Sequence, residues 1–180
     1  MDLYFATIYK DGWLPRVEFL TLAQGLEAYH RATMPGKYVD DESYRAGLRQ
    51  KLWAVIPTPP EIDADFREGL DRRLDHLHEF SLRKRLKELA KKHAAILEGL
   101  IGDAKSFSDI VSDLRNKLTH PEEGNSKSDK DYRKLLKLSE KMALLLEVCF
   151  LSEMGFTQER IKEIIFNRSK RAFRIHQGWV

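Results

Sequence analysis

The chain has one cysteine, Cys149, and it lies inside an apolar run. A disulfide framework within the chain is therefore excluded, as is a structural zinc site built on several thiolates. That cysteine usage suits a reducing cytoplasm. No apolar run reaches the roughly 20 residues needed to span a bilayer. The N-terminus has no basic segment leading into a long apolar one, so neither a membrane span nor a signal peptide is expected. Excess charge is also missing: 31 Lys and Arg face 28 Asp and Glu, for a net charge of +3. No global basic field marks a nucleic-acid binder, and an anionic partner has to be met by a local patch. No segment alternates with the period of two that a strand requires, and there is no internal repeat. No carboxylate cluster calls for a metal, and no cofactor is expected.

What is present reads as helix. The 180 residues suffice for one domain with a proper core. The 33% charged content is high, and Lys, Glu, Leu and Arg, all good helix formers, dominate the middle. Leu3–Tyr9 is apolar at nearly every position and reads as a short buried helix or an extended segment, with helix favoured by the helical chain downstream, before a turn at Asp11–Pro15. From Arg16 to about Met34, Phe19, Ala23, Leu26 and His30 share a face. After Pro35-Gly36, Asp40 or Asp41 caps a helix running to Ile56 with Tyr44, Leu48, Leu52 and Val55 on one stripe. Pro57, Pro59 and Pro60 stop it. A third helix starts at Pro60 or Glu61, with Ile62, Phe66, Leu70, Leu74 and Leu77 as its buried face. A kink or short turn is expected near Phe80–Ser81, because Leu82, Leu86, Leu89, His93, Ile96 and Leu100 continue the pattern. Ser106 or Ser108 caps the next helix, which Pro121 ends. Glu122–Ser128 is a loop. A long helix follows from about Asp129, nearly apolar all round over Met142–Leu151, with Gly155 as its C-terminal cap. Thr157 caps a last helix. The reading is an all-α antiparallel helical bundle of six to seven helices, one domain over residues 1–180 with a docking tail at 171–180.

The stretch Asp113–Pro121, DLRNKLTHP, puts Arg115, Asn116 and His120 at the end of a helix before a polar loop. The spacing arginine, any four, histidine is a cheap signal: Arg73–His78 and Arg171–His176 match it too. Context separates them. A polar residue follows only Arg115, and only His120 precedes a proline. Along a continuous helix, five residues rotate by about 500°, leaving the two side chains about 140° apart. Pro121 disfavours the α conformation at His120 and lets it leave the helix axis towards Arg115. Arginine keeps its charge and can hold two phosphate oxygens. Histidine, with an ordinary pKa of about 6.5, can act as acid or base. These are parts for transesterification of RNA, in which a 2′-hydroxyl attacks its own phosphate. The competing reading is that cations near a helix C-terminus merely complement its dipole.

LRNKLTHP resembles the arginine–polar–three–histidine motif of HEPN domains, and FLTLAQGLEAYHR (Phe19–Arg31) resembles the first long helix of the ApeA-like subgroup. The resemblance spans roughly Phe5 to Asn167. It implies an α-helical bundle that forms a homodimer, with two such motifs meeting as one composite, metal-independent endoribonuclease site. It also implies a role in prokaryotic anti-phage or toxin-type defence. By that resemblance Arg115, Asn116 and His120 are the catalytic motif and RNA is the substrate. ApeA-like proteins usually carry a further domain before the HEPN part. The chain is thus read as stand-alone or excised, with an N-terminal regulatory domain or an antitoxin as partners outside it. The alternative is a non-catalytic HEPN-like dimerisation or RNA-binding module of a larger defence protein.

Glu27, His30 and Arg31 are the supporting positions. Glu27 either orients His120 or Arg115, or pairs locally with Arg31 at i+4. His30, on the apolar side of its helix, is either functional or a hydrogen-bonded core histidine. Arg83, Lys87 and Lys91 share a helical face in the densest basic run and are candidates for RNA contact; otherwise they form a solvated face.

Overall fold

The computed structural model describes residues 15–97, 99–120 and 129–178. The expected helix at Leu3–Tyr9, the turn expected at Asp11–Pro15 except for Pro15, which begins the first helix, the loop at Glu122–Ser128 and Trp179–Val180 lie outside the described residues. The described residues are all-α. They form α1 (Pro15–Thr33), α2 (Asp41–Ser43), a π-helical stretch (Tyr44–Arg49), α3 (Gln50–Ala54) and α4 (Ala64–Leu74). Then come α5 (Leu82–Lys92), α6 (Ala94–Leu97), α7 (Ala104–Thr119), α8 (Asp129–Glu153), α9 (Gln158–Arg168) and α10 (Lys170–His176). The chain divides into two compact units, Met1–Met34 with Leu82–Val180, and Pro35–Ser81.

The larger unit holds the hydrophobic core. Phe19, Ala23 and Leu26 of α1 are buried with Leu86 and Leu89 of α5, Phe107 and Val111 of α7, and Met142, Leu145 and Cys149 of α8. Leu144 and Val148 are buried as well, so α8 is covered on more than one face, as its nearly continuous apolar run requires. Burial pushes the Cys149 thiol up to about 12, which keeps it protonated and inert. The bundle is not antiparallel throughout. Gly25 approaches Leu146, and Tyr29 donates to Glu153 Oε1 at 2.8 Å, while Glu18 near the start of α1 senses Glu140. Residue numbers rise together along the pair, so α1 and α8 run the same way. Helices joined by a short loop are constrained to be antiparallel; these two are separated by most of the chain and are not. α10 returns along α8, with Arg171 and Arg174 donating to Glu140 at 2.5 and 2.6 Å and Ala172 and Ile175 buried.

Helix ends follow local chemistry. Thr157 accepts from Arg160 N–H at the start of α9, and Asp40 accepts from Ser43 N–H at the start of α2. Gly155 has φ 83°, the left-handed geometry suited to a glycine after α8. The start of α7 corrects the sequence reading. Asp103, not Ser106 or Ser108, is the cap, and its carboxylate accepts from Ser106 N–H at 2.8 Å. Leu82–Leu100 is also not one helix: α5 ends at Lys92, and His93 sits in a break before α6.

The smaller unit departs most from expectation. The helix expected from Asp40 to Ile56 contains a π-helical turn, which shifts its side-chain register. Leu48 and Val55, assigned to a buried stripe, are exposed, as are Phe66 and Leu77. Only Tyr44 and His78 are buried between Pro35 and Ser81. A unit this short has too little interior to cover every apolar side chain that helical periodicity marks. Its two ends are tied by Tyr38 N–H to His78 O at 2.9 Å and Phe80 N–H to Gly36 O at 2.8 Å.

Candidate functional site

α7 carries the motif and stops where proline chemistry says it must. Thr119 is its last residue, and His120 has φ −127° and ψ 73°, outside the helical region. Its N–H still donates to Asn116 O at 2.9 Å. Phe107 and Val111 bury the N-terminal half of α7, and Leu114 and Leu118 pack on the core from its last turns. The motif residues are left towards solvent: Arg115 is half-buried, and Asn116 and His120 are exposed. Arg115 Nη1 donates to Asn116 Oδ1 at 3.3 Å, a long bond that joins the first two motif residues. Thr119 Oγ1 donates back to Arg115 O at 3.0 Å and Asn116 O at 3.1 Å, bracing the same turn. A guanidinium from α1, that of Arg16, donates to Leu118 O.

The other two arginine–histidine matches have separate environments. His78 is buried against Asp41, and Arg171 is bound to Glu140.

The supporting residues are not gathered at this end of α7. Glu27 accepts from Arg31 Nη2 at 3.1 Å, a partly exposed pair within one helix. Arg16, near the start of α1, is the α1 residue that reaches the end of α7. Glu27 stands eleven positions further on, roughly 16 Å along the helix axis at 1.5 Å per residue. His30 is fully buried. Its Nε2 lies 3.0 Å from Glu88 Oε2, and its Nδ1 lies 3.1 Å from Arg85 Nη1. An arginine only donates, so Nδ1 is the acceptor and Nε2 carries the proton to Glu88. Lys84 also pairs with Glu88 at 3.2 Å.

This cluster changes the reading of the basic run. Arg85 is 1% exposed and faces the core; it is the residue that sequence reasoning missed, because its neighbours made it look like part of a solvated stripe. The usable signal was its position one residue before buried Leu86 and four before Leu89. Arg83 is held by Asp113 at 2.5 Å and Asp109 at 3.2 Å across α7. Lys87 is half-buried and Lys91 exposed on the same helix.

A second feature lies wholly in the smaller unit. A cleft of about 570 Å³ is lined by Lys37, Asp41, Arg45, Arg49 and His78, among others. His78 stacks on Tyr44 with ring centroids 4.2 Å apart, and its Nε2 lies 2.6 Å from Asp41 Oδ1. Lys37 and His78 together hold the Asp41 carboxyl down to about 2. Arg49 bridges Asp71 and Asp75 at 2.7 and 2.8 Å. Among the described residues, no group of three or more His, Cys, Asp and Glu is placed to hold a metal ion. No helix among them is long and apolar enough to cross a membrane.

The described residues form an all-α bundle in which α7 ends on an arginine–polar–three–histidine turn. Residues 20–160 match the family model described as Apea-like HEPN, and the chain belongs to that family. Neither a curated protein nor a solved structure matches it. Family membership points to a nuclease or defence-type role.

Proposed function

We propose that the chain is a metal-independent endoribonuclease whose site is completed by a second copy, acting in prokaryotic defence. The observation that carries this is the end of α7: the helix terminates at Thr119, and His120 stands exposed one turn beyond half-buried Arg115. One such turn offers one imidazole, and transesterification draws on an acid and a base. In a homodimer with the two turns facing, one His120 takes the 2′-hydroxyl proton as that oxygen attacks its own phosphorus. The bond to the 5′-oxygen breaks, and the other His120 gives that oxygen a proton, leaving a 2′,3′-cyclic phosphate. Arg115 meets the charge that builds on the non-bridging oxygens, and Asn116 orients it through the bond they share. Lys87 and Lys91 are the RNA-contact candidates. Arg83 is weaker in that role, since two carboxylates already hold it. A further regulatory domain or an antitoxin fits the same reading as partner.

The test is cleavage of RNA by purified protein in excess chelator. His120→Ala is expected to lower the rate at least about 100-fold, with an unchanged unfolding midpoint. Equal cleavage by that variant would remove the assignment. The second reading, a non-catalytic dimerisation or RNA-binding module, is favoured by the local pairing of Glu27. It predicts dimers that cleave no RNA.

A further inference from the structure

We propose that Arg16 is a positioning residue for the motif: its guanidinium holds the last turn of α7, and with it the backbone that carries His120. The catalytic consequence rests on the ribonuclease reading above; the structural tie does not. A helix leaves its last carbonyls without internal donors. At the end of α7 the shortage is sharpened by sequence, because the residue four after Lys117 is Pro121, which has no N–H to offer. Leu118 is next in line, and its carbonyl receives the Arg16 Nη2 donor from a position 102 residues earlier in the chain. A cation at this place also complements the negative end of the helix dipole.

The anchor behind that bond is firm. Arg16 is itself half-buried in the first turn of α1, between buried Pro15 and buried Phe19. The hydrogen bonds of Thr119 and of the His120 N–H stay within α7. The Arg16 bond is different, since it ties the turn to another helix. Only Thr119 separates the tied carbonyl's residue from His120, so a loosened turn displaces the imidazole directly. Displacement on the order of 1 Å is enough to cost about 100-fold in rate. Arg16 lies ahead of residues 20–160, the span that the family model matches.

The experiment compares Arg16→Ala, Arg16→Gln and Arg16→Lys in the full chain. It follows RNA cleavage in chelator and hydrogen exchange of the His120 amide. For Arg16→Ala the expected result is a kcat lower by about 10- to 100-fold, a KM within about two-fold of wild type, and faster exchange at His120. Amides of α9 are expected to keep their wild-type exchange. Arg16→Lys, which keeps a charged donor, recovers most of kcat, and Arg16→Gln, which keeps only a neutral one, recovers less. A raised KM with kcat intact would make Arg16 a substrate contact and overturn the positioning role, as would wild-type kinetics in all three variants. If Arg16→Ala fails to fold, the same comparison is read from Arg16→Gln and Arg16→Lys. If the wild-type protein cleaves no RNA, the ribonuclease reading fails on its own. Exchange at His120 then decides the tie: faster exchange in Arg16→Ala sustains it, and unchanged exchange ends it.

Discussion

The two compact units solve the same problem with opposite means. Residues 35–81 carry seven Lys and Arg against ten Asp and Glu, a net −3; the rest of the chain carries 24 against 18, a net +6. The larger unit buries a continuous apolar core and sets His30 and Arg85 inside it, with half-buried Glu88 bonded to His30 at its edge. The smaller unit buries Tyr44 and His78 and leaves Phe66, Leu77 and Val55 in solvent. It is tied instead by Lys37, Arg49 and His78 to Asp41, Asp71 and Asp75. Polar groups in a core act as fixed struts, whereas ion pairs on a small surface unit respond to pH and salt. The mild overall charge hides this division. The basic balance belongs to the unit that carries the motif, and the acidic unit is a poor place to seek RNA contact.

The largest expected effect separates the units by activity. Arg115→Ala lowers RNA cleavage by at least about 100-fold, while Arg45→Ala in the cleft of the smaller unit leaves it unchanged. A loss of similar size in Arg45→Ala would break the division. Stability gives the next contrast. Arg85→Ala removes a buried donor from His30 and opens a cavity, at a cost of about 3 kcal/mol in urea unfolding. Arg49→Ala, which breaks two partly exposed pairs, costs less. Reversal of that order would mean that surface pairs carry the fold.

Acid should distinguish the units in a third way. Burial, helped by Lys92, lowers the His93 pKa to about 4. The unfolded chain takes up that proton at the ordinary value of about 6.5, so stability falls as pH drops from about 6.5 to 4. The expected loss is on the order of 2 kcal/mol, and His93→Leu should flatten it. Asp41 acts in the same direction, but at lower pH. Its carboxyl is held at about 2 by Lys37 and His78, so its contribution is fully present above the usual carboxylate range and is lost between about 4 and 2. Protection factors, which remove the intrinsic pH dependence of amide exchange, should therefore fall around His93 before they fall around Asp41 as the pH is lowered. The reverse order would contradict both assignments.

The smallest effect concerns Glu27. An exposed i,i+4 pair is worth about 0.5 kcal/mol at most, so Glu27→Ala should barely move the unfolding midpoint. Cleavage that nevertheless drops sharply would mean that Glu27 acts across the dimer rather than within its own chain.

Much of this was legible in the sequence, for reasons tied to particular residues. Pro121 announced the end of α7, and the spacing of Phe19, Ala23 and Leu26 announced the buried face of α1. Asp40 and Thr157 announced helix starts. The misses share a physical origin. Periodicity marks which side chains lie on one face, not whether another element covers that face, so Phe66 and Leu77 read as core and are exposed. Composition marks a run as basic without showing which way each side chain points. Arg85 therefore read as surface while its guanidinium meets His30 in the interior. The Arg16 bond to Leu118 joins positions too far apart in the chain for any local pattern to connect.

The central claim is that the end of α7 is half of a site. Wild-type chains mixed and exchanged with His120→Ala chains test it most directly, with RNA cleavage measured against the wild-type fraction. A site that uses one His120 from each protomer predicts a rate falling as the square of that fraction. A rate falling in simple proportion would place the whole site within one chain and contradict the account.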